Sequence, residues 1–250
     1  MSLRLIAFSC GWFQCKNSFF VEGWDDQTYV RSPVPSYLID HPKGRAVFDT
    51  GLGLRYRREI DKRLPPNKFG LDLYEDHDVA ARLRAIDIDP ASIDWIITSH
   101  LHIDHCGGNM FLPNATVIVQ SRELAAARTS DDAMLYNPED FETGQPITAI
   151  DGEHDLFGDG SVTLFPTFGH TPGHQSVRVK LPSGEVILAG DCCYIKRNLD
   201  ELRLPANTWD KQIGVETLRA LAKARARGAR VFYGHDAQFW STITEGQEIA

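Results

Sequence analysis

Nowhere does this sequence stay apolar for the roughly 20 residues that a bilayer-spanning helix requires, which argues against a helical membrane protein. Its opening, Met1-Ser-Leu-Arg-Leu-Ile-Ala-Phe-Ser-Cys10, has too short an apolar run, and no following small-residue cleavage pattern, for a secretion signal to be expected there. Cysteine is scarce and unpatterned. Five residues, an odd number without regular spacing, make no disulfide framework and suit a reducing cytoplasm, where the protein is expected to reside. Positive charge is in deficit too: 26 Lys and Arg against 34 Asp and Glu leave a formal net charge of −8, which argues against a nucleic-acid surface. The basic clusters Arg55-Tyr-Arg-Arg58 and Lys223-Ala-Arg-Ala-Arg227 are interrupted by apolar residues and read as solvated helix faces. No linker divides the chain, and 42% hydrophobic content can build a sizeable interior, so residues 1–250 are expected to form one domain.

What the sequence does have is Ser99-His-Leu-His-Ile-Asp-His-Cys-Gly-Gly108, where His100, His102, Asp104 and His105 stand together. Imidazole and carboxylate suit zinc and other borderline first-row ions, whereas a structural zinc site would more often use cysteine. The block follows Ile93 to Ser99, which reads as a buried strand, so the ligands fall just past its carboxyl end. An i, i+2 histidine pair places two rings on one side of an extended segment; Asp104 and His105 follow after the chain turns and can face a second ion. His170, Asp191 and His235 come later, the last two again at the ends of apolar runs. This concentration argues for a two-metal hydrolase. His41, His77 and His154, in polar, turn-like settings, read as solvated surface residues, and Cys106, Cys192 and Cys193 as small packing residues beside the site.

The spacing predicts a hairpin from Ser36–Asp40 and Arg45–Asp49 around His41-Pro-Lys-Gly44, and a helix over Asp78–Ile86. A strand over Thr116–Gln120 should lead into a serine-capped helix over Ser121–Arg128. Strands over Ser161–Thr167, Gln175–Leu181 and Glu185–Ala189 follow, then a helix over Asp210–Arg227 and a strand over Arg230–Tyr233. Leu54–Asp76 and Thr129–Gly144 read as loops around the site. Two strand-rich halves with helices outside make an α/β, four-layer αββα sandwich the expected architecture.

His-x-His-x-Asp-His at His100–His105, Gly169-His-Thr-Pro-Gly-His174, Asp191 after Ala189-Gly190, and the late Gly234-His235 resemble the metallo-β-lactamase superfamily over about Ser36 to His235. The resemblance implies metals at one edge between the sheets, one held by His100, His102 and His170, a second by Asp104, His105 and His235. Asp191 and a hydroxide would bridge them. The cofactors are then two divalent ions, zinc being the first expectation and iron, cobalt or manganese acceptable to the same ligands. Asp49 of Asp49-Thr-Gly51 would support the ligand loop from behind, and His174 would stand beside the metals rather than bind them.

Tyr194, three residues after Asp191, resembles the N-acyl-homoserine-lactone lactonase branch, in which a tyrosine at this place contacts the substrate carbonyl. Val117-Ile-Val-Gln120, His170-Thr-Pro-Gly-His-Gln-Ser176 and Phe232-Tyr-Gly-His-Asp236 fit the same branch. The implied reaction is lactone opening by the bridging hydroxide, with a small-molecule lactone or ester as partner. Tyr194 would serve the carbonyl oxygen and Asp104 would carry the proton to the leaving alkoxide. Trp12, Phe13, Phe19, Phe20, Trp24 and Trp209 are candidates for an acyl-chain trough. The alternative is a thioester hydrolase of the glyoxalase II type, or another ester or lactone hydrolase on the same cage; only fifteen residues after His235 count against the former. A homodimer stays open.

Overall fold

The computed structural model describes residues 2–63, 69–132 and 135–249. Alternation within the first strand, β1 (Arg4–Lys16), already demands several layers: Leu5 and Ala7 face one way, Ile6 and Phe8 the other, and all four are buried. A sheet buried on both faces must be covered on both. The remaining strands are β2 (Tyr29–His41), β3 (Gly44–Phe48), β4 (Phe69–Asp72), β5 (Trp95–Ile97), β6 (Thr116–Gln120), β7 (Ile147–Ile150), β8 (His154–Asp155), β9 (Val162–Pro166), β10 (Gln175–Leu181), β11 (Gly184–Leu188) and β12 (Arg230–Phe232). They form a seven-stranded sheet in the order β4-β1-β2-β3-β5-β6-β7 and a five-stranded sheet in the order β12-β11-β10-β9-β8. Strands β3, β5, β6 and β7 run parallel, as do β11 and β12, whereas the other pairs are antiparallel.

Between the sheets lies one apolar cluster, with Leu5, Ile39, Phe48 and Ile97 from the first sheet against Leu164, Val177, Val186 and Leu188 from the second. The helices are α1 (Asn17–Phe20), α2 (Tyr56–Arg63), α3 (Val79–Arg84), α4 (Ile103–Cys106), α5 (Ser121–Thr129), α6 (Pro138–Phe141), α7 (Lys196–Glu201), α8 (Lys211–Ala226) and α9 (Ala237–Trp240). Val79 and Leu83 of α3 cover the outer face of the first sheet at Ile6, Phe8, Leu38 and Ile96. Leu199 of α7 with Leu218 and Leu221 of α8 covers the outer face of the second at Ile187, Ala189 and Val231. The architecture is the αββα sandwich. Among the described residues, no helix is long and apolar enough to cross a membrane.

Several local expectations are corrected. Ser121 is not a cap: Gln120 occupies the N-cap position of α5, and the Ser121 hydroxyl donates to the Ile150 carbonyl at 3.2 Å. Leu54–Asp76 is not plain loop, since it holds α2 and β4; β4 pairs with β1 from Trp12↔Asp72 to Cys15↔Phe69. Residues 64–68, with 133 and 134 of the second expected loop, lie outside the described residues. Arg55 and Tyr56 are not solvated: Tyr56 is buried, and both donate to the buried Asp140 carboxylate. Nor are His41 and His77. The His41 ring stacks on Phe157 with centroids 3.9 Å apart and lies 3.2 Å from Asp159, and His77 is buried, its Nδ1 accepting from the Tyr74 amide at 3.4 Å.

Candidate metal centre

The ligand candidates sit beyond the carboxyl ends of β5, β9, β11 and β12, where open α/β sheets place their sites. His102, itself in an extended conformation, is the N-cap of α4, and that single helical turn carries Asp104 and His105, whose ring comes to 4.1 Å from that of His100. His170 lies between β9 and β10. Asp191 follows Gly190, whose φ of +59° lets the chain leave β11 sharply; a Cβ there would sit 2.9 Å from His174 Nε2 and 3.1 Å from Ser99 Cβ. His235 follows β12.

Two groups result. His100, His102, His170 and Asp191 form one, Asp104, His105, Asp191 and His235 the other, each with its donor atoms within 4.8 Å of one another. Asp191 divides its oxygens between them. Its Oδ2 is 3.8 Å from His100 Nε2 and 3.4 Å from His170 Nε2; its Oδ1 is 3.3 Å from His105 Nε2 and 3.1 Å from His235 Nε2. His102 Nδ1 is 3.3 Å from His170 Nε2, and Asp104 Oδ2 is 3.4 Å from His105 Nε2 and 3.5 Å from His235 Nε2. Ligands at about 2.1 Å from a tetrahedral ion stand roughly 3.4 Å apart, so these separations match the edges of such a site.

Three of the rings, those of His100, His105 and His235, are held from their far sides. Ser99 Oγ is 3.0 Å from His100 Nδ1, Asp49 Oδ2 is 2.8 Å from His105 Nδ1, and the Pro33 carbonyl is 2.8 Å from His235 Nδ1. Such contacts fix ring orientation and leave the other nitrogen for an ion. Asp49 also accepts from the Ser99 amide at 2.6 Å and the Ser99 hydroxyl at 2.8 Å, from a left-handed backbone with φ of +55° that a non-glycine residue adopts only when its surroundings enforce it. His174 Nε2 accepts from the Asp191 amide at 3.0 Å, and its Nδ1 meets Thr167 Oγ1 at 2.8 Å, so both ring nitrogens are engaged. By contrast, among the described residues the buried Nε2 atoms of His100 and His105 and Oδ1 of Asp191 lack a hydrogen-bond partner of acceptable geometry. Orphaned donors and acceptors in two compact groups are what ions would satisfy.

Electrostatics distinguish the groups. Burial, reinforced by neighbouring imidazoles, pushes the pKa values of His100 and His170 well below the usual imidazole range, and burial takes His102 down to about 4. Those rings are neutral, as ligands must be. Burial also opposes charge on His105 and His235, yet Asp191 and Asp104 around them, with Asp49 beside His105, hold both pKa values above the ordinary one. The second group thus calls for positive charge.

Tyr194 closes the site. Its ring centroid lies 5.6 Å from that of His170 and 5.0 Å from that of His235, one residue from each group. Phe19 stacks on it at 5.4 Å and Phe20 meets it edge-on at 6.2 Å. Its hydroxyl donates to Asn207 Oδ1 at 2.9 Å. No sequence signal marked Asn207, because its role exists only through this contact. A cavity of about 370 Å³ adjoins His235 and is lined by Phe20, Trp24, Val30 and Ile195 among others. Of the remaining trough candidates, Phe13 and Phe19 pack in the Tyr194 cluster, Trp12 lies under the Arg31 guanidinium at 3.9 Å, and Trp209 is 52% exposed. Cys106, Cys192 and Cys193 are buried, free thiols whose pKa values burial raises.

Residues 29–235 match the family model of the metallo-beta-lactamase superfamily. The chain is 36% identical to N-acyl homoserine lactonase AttM of Azorhizobium caulinodans, with 96% of each chain covered. It is 28% identical to N-acyl homoserine lactonase AiiA of Bacillus thuringiensis subsp. kurstaki over 82% of each. Among solved structures, an N-acyl homoserine lactone hydrolase with N-hexanoyl-L-homoserine at its catalytic metal centre superposes with a TM-score of 0.89 at 24% identity, both chains being covered completely. Family and donor groups together indicate divalent-metal binding. The chain belongs to the metallo-beta-lactamase superfamily and, within it, to the family of the N-acyl homoserine lactonases.

Proposed function

We propose that this protein opens the lactone ring of N-acyl homoserine lactones, a quorum-quenching reaction, and that residues 1–250 work as a single hydrolase domain. The observation that carries the reading is Tyr194, whose ring flanks one histidine from each donor group and whose hydroxyl is held by Asn207. His100, His102 and His170 would hold one ion, Asp104, His105 and His235 the other, with Asp191 shared; zinc fits this donor set. When bound, such ions supply hydroxide at neutral pH and draw charge from a carbonyl.

The chain's own residues orient the substrate and move its proton. Burial keeps the Tyr194 phenol protonated, so it serves as a donor to the carbonyl oxygen as charge grows there. Asp104, with 13% of its side chain exposed against 3% or less for His105 and Asp191, is the ligand candidate best placed to exchange a proton with the opened ring. Phe20, Trp24, Val30 and Ile195 offer an apolar wall to an acyl chain.

Near-complete coverage of the lactonase relatives favours this reading over a glyoxalase II type thioester hydrolase. Five free, buried cysteines support a reducing cytoplasm as its location. The test is proton release from short- and long-chain N-acyl homoserine lactones by zinc-loaded protein, beside a glutathione thioester and a cephalosporin. Rapid opening of the lactones alone is expected; turnover of the thioester or the cephalosporin with inert lactones would sink the reading.

A further inference from the structure

Glu123 of α5 is fully buried, yet it is not among the ligand candidates. Its Oε1 accepts from the Leu101 amide at 3.0 Å and the Tyr136 hydroxyl at 3.2 Å. Its Oε2 accepts from the Thr171 hydroxyl at 2.6 Å and the Gly173 amide at 3.0 Å. Four donors use the acceptor capacity of an ionised carboxylate in full. Their positions are informative: Leu101 lies between His100 and His102, Thr171 directly follows His170, and the Tyr136 ring packs edge-on against His102 at 5.0 Å. The helix also sits hard on the second loop, since a Cβ on Gly173 would collide with the Glu123 backbone.

We propose that Glu123 is a positioning residue for the three-histidine group: by gripping both loops at once, it sets the distance from His100 and His102 to His170. The proposal rests on reading those histidines as ligands. The other group has supports of its own, Asp49 behind His105 and the Pro33 carbonyl behind His235, so losing Glu123 acts on one group selectively.

The test is chelator-competition binding of Co²⁺ to metal-stripped protein in two backgrounds: His235→Ala, which keeps the three-histidine group, and His170→Ala, which keeps the other. Glu123→Gln turns one acceptor oxygen into a donor that must face donors. It is expected to weaken binding about tenfold to a hundredfold in the first background and to leave the second within about twofold, as separable sites should behave. In metal-free protein, the Leu101 and Gly173 amides should exchange with solvent at least about tenfold faster. Unchanged affinity in the first background, or equal weakening in both, overturns the proposal. Should Glu123→Gln not fold, Thr171→Val removes a single donor, and the same selectivity is required of it. Failure of the underlying ligand reading looks different: the His235→Ala parent itself would then take up no cobalt.

Discussion

A phenol in an apolar wall is useful as a donor only while it keeps its proton, and burial together with the Asp191 carboxylate raises the Tyr194 pKa well above the ordinary value. Tyr194→Phe should therefore lower kcat/KM by roughly tenfold to a hundredfold, about 1.4–3 kcal/mol, through loss of one oxyanion donor. Metal content measured on the same sample should remain at two ions per chain, and an unchanged rate with a good lactone would refute the role. Asp191→Asn separates differently, because Asp191 faces both groups with one oxygen each. It should lose metal and activity together, whereas two retained ions by elemental analysis would count against the shared-ligand assignment. The ligand candidates were legible in the sequence because metal chemistry restricts the residue types. Asn207 and Glu123 were not, since each gains its role from a contact 13 or more residues away. His41 misled for the same reason: polar neighbours in sequence say nothing of Phe157 stacking on its ring.

At the level of elements, β6, β10 and β11 could be read almost to the residue because short runs rich in β-branched residues and bounded by turns are a local signal. Strand β1 could not: it shifts register between Ser9 and Trp12, and aromatics there read equally well as a trough. Edge strand β4 has a sequence, Phe-Gly-Leu-Asp, too short and mixed to signal a strand. The turns that follow strands carry the site, so their backbone is where small changes should act. Gly190→Ala should cost about 1–3 kcal/mol from its left-handed conformation alone, and the added methyl presses on His174 and Ser99. A lower Tm with reduced metal content is expected; a wild-type Tm would show that the turn relaxes freely. Asp210 offers a milder test. It caps α8 by accepting from the Ile213 amide at 3.0 Å, and its own amide donates to the Gly169 carbonyl beside His170 at 2.9 Å. Asp210→Ala should cost about 0.5–2 kcal/mol by denaturant unfolding, with kcat/KM nearly intact because the backbone contact survives.

For the whole molecule, protons and ions compete for one centre, and pH should reveal it. His100, His102, His170 and His174 have pKa values lowered by burial, so below the ordinary imidazole value of about 6.5 the unfolded chain binds protons that the fold excludes. Stability of the metal-free protein should fall as pH drops from there. His105 and His235 have raised pKa values, so their contribution is fully present below about 6.5 and is lost as pH rises through the folded values. Metal-stripped protein should therefore be most stable near the crossover and weaken on both sides. The loaded protein should keep its stability on the alkaline side, because bound ions would supply there the positive charge that Asp191 and Asp104 otherwise take from protonated His105 and His235. Thermal melts of stripped and reloaded protein from about pH 5 to 9 should show a Tm gap that widens with pH, since each ion bound must displace fewer protons. A gap that stays constant would mean that His105 and His235 carry no protons when the ions are gone, and that the carboxylates are balanced in some other way.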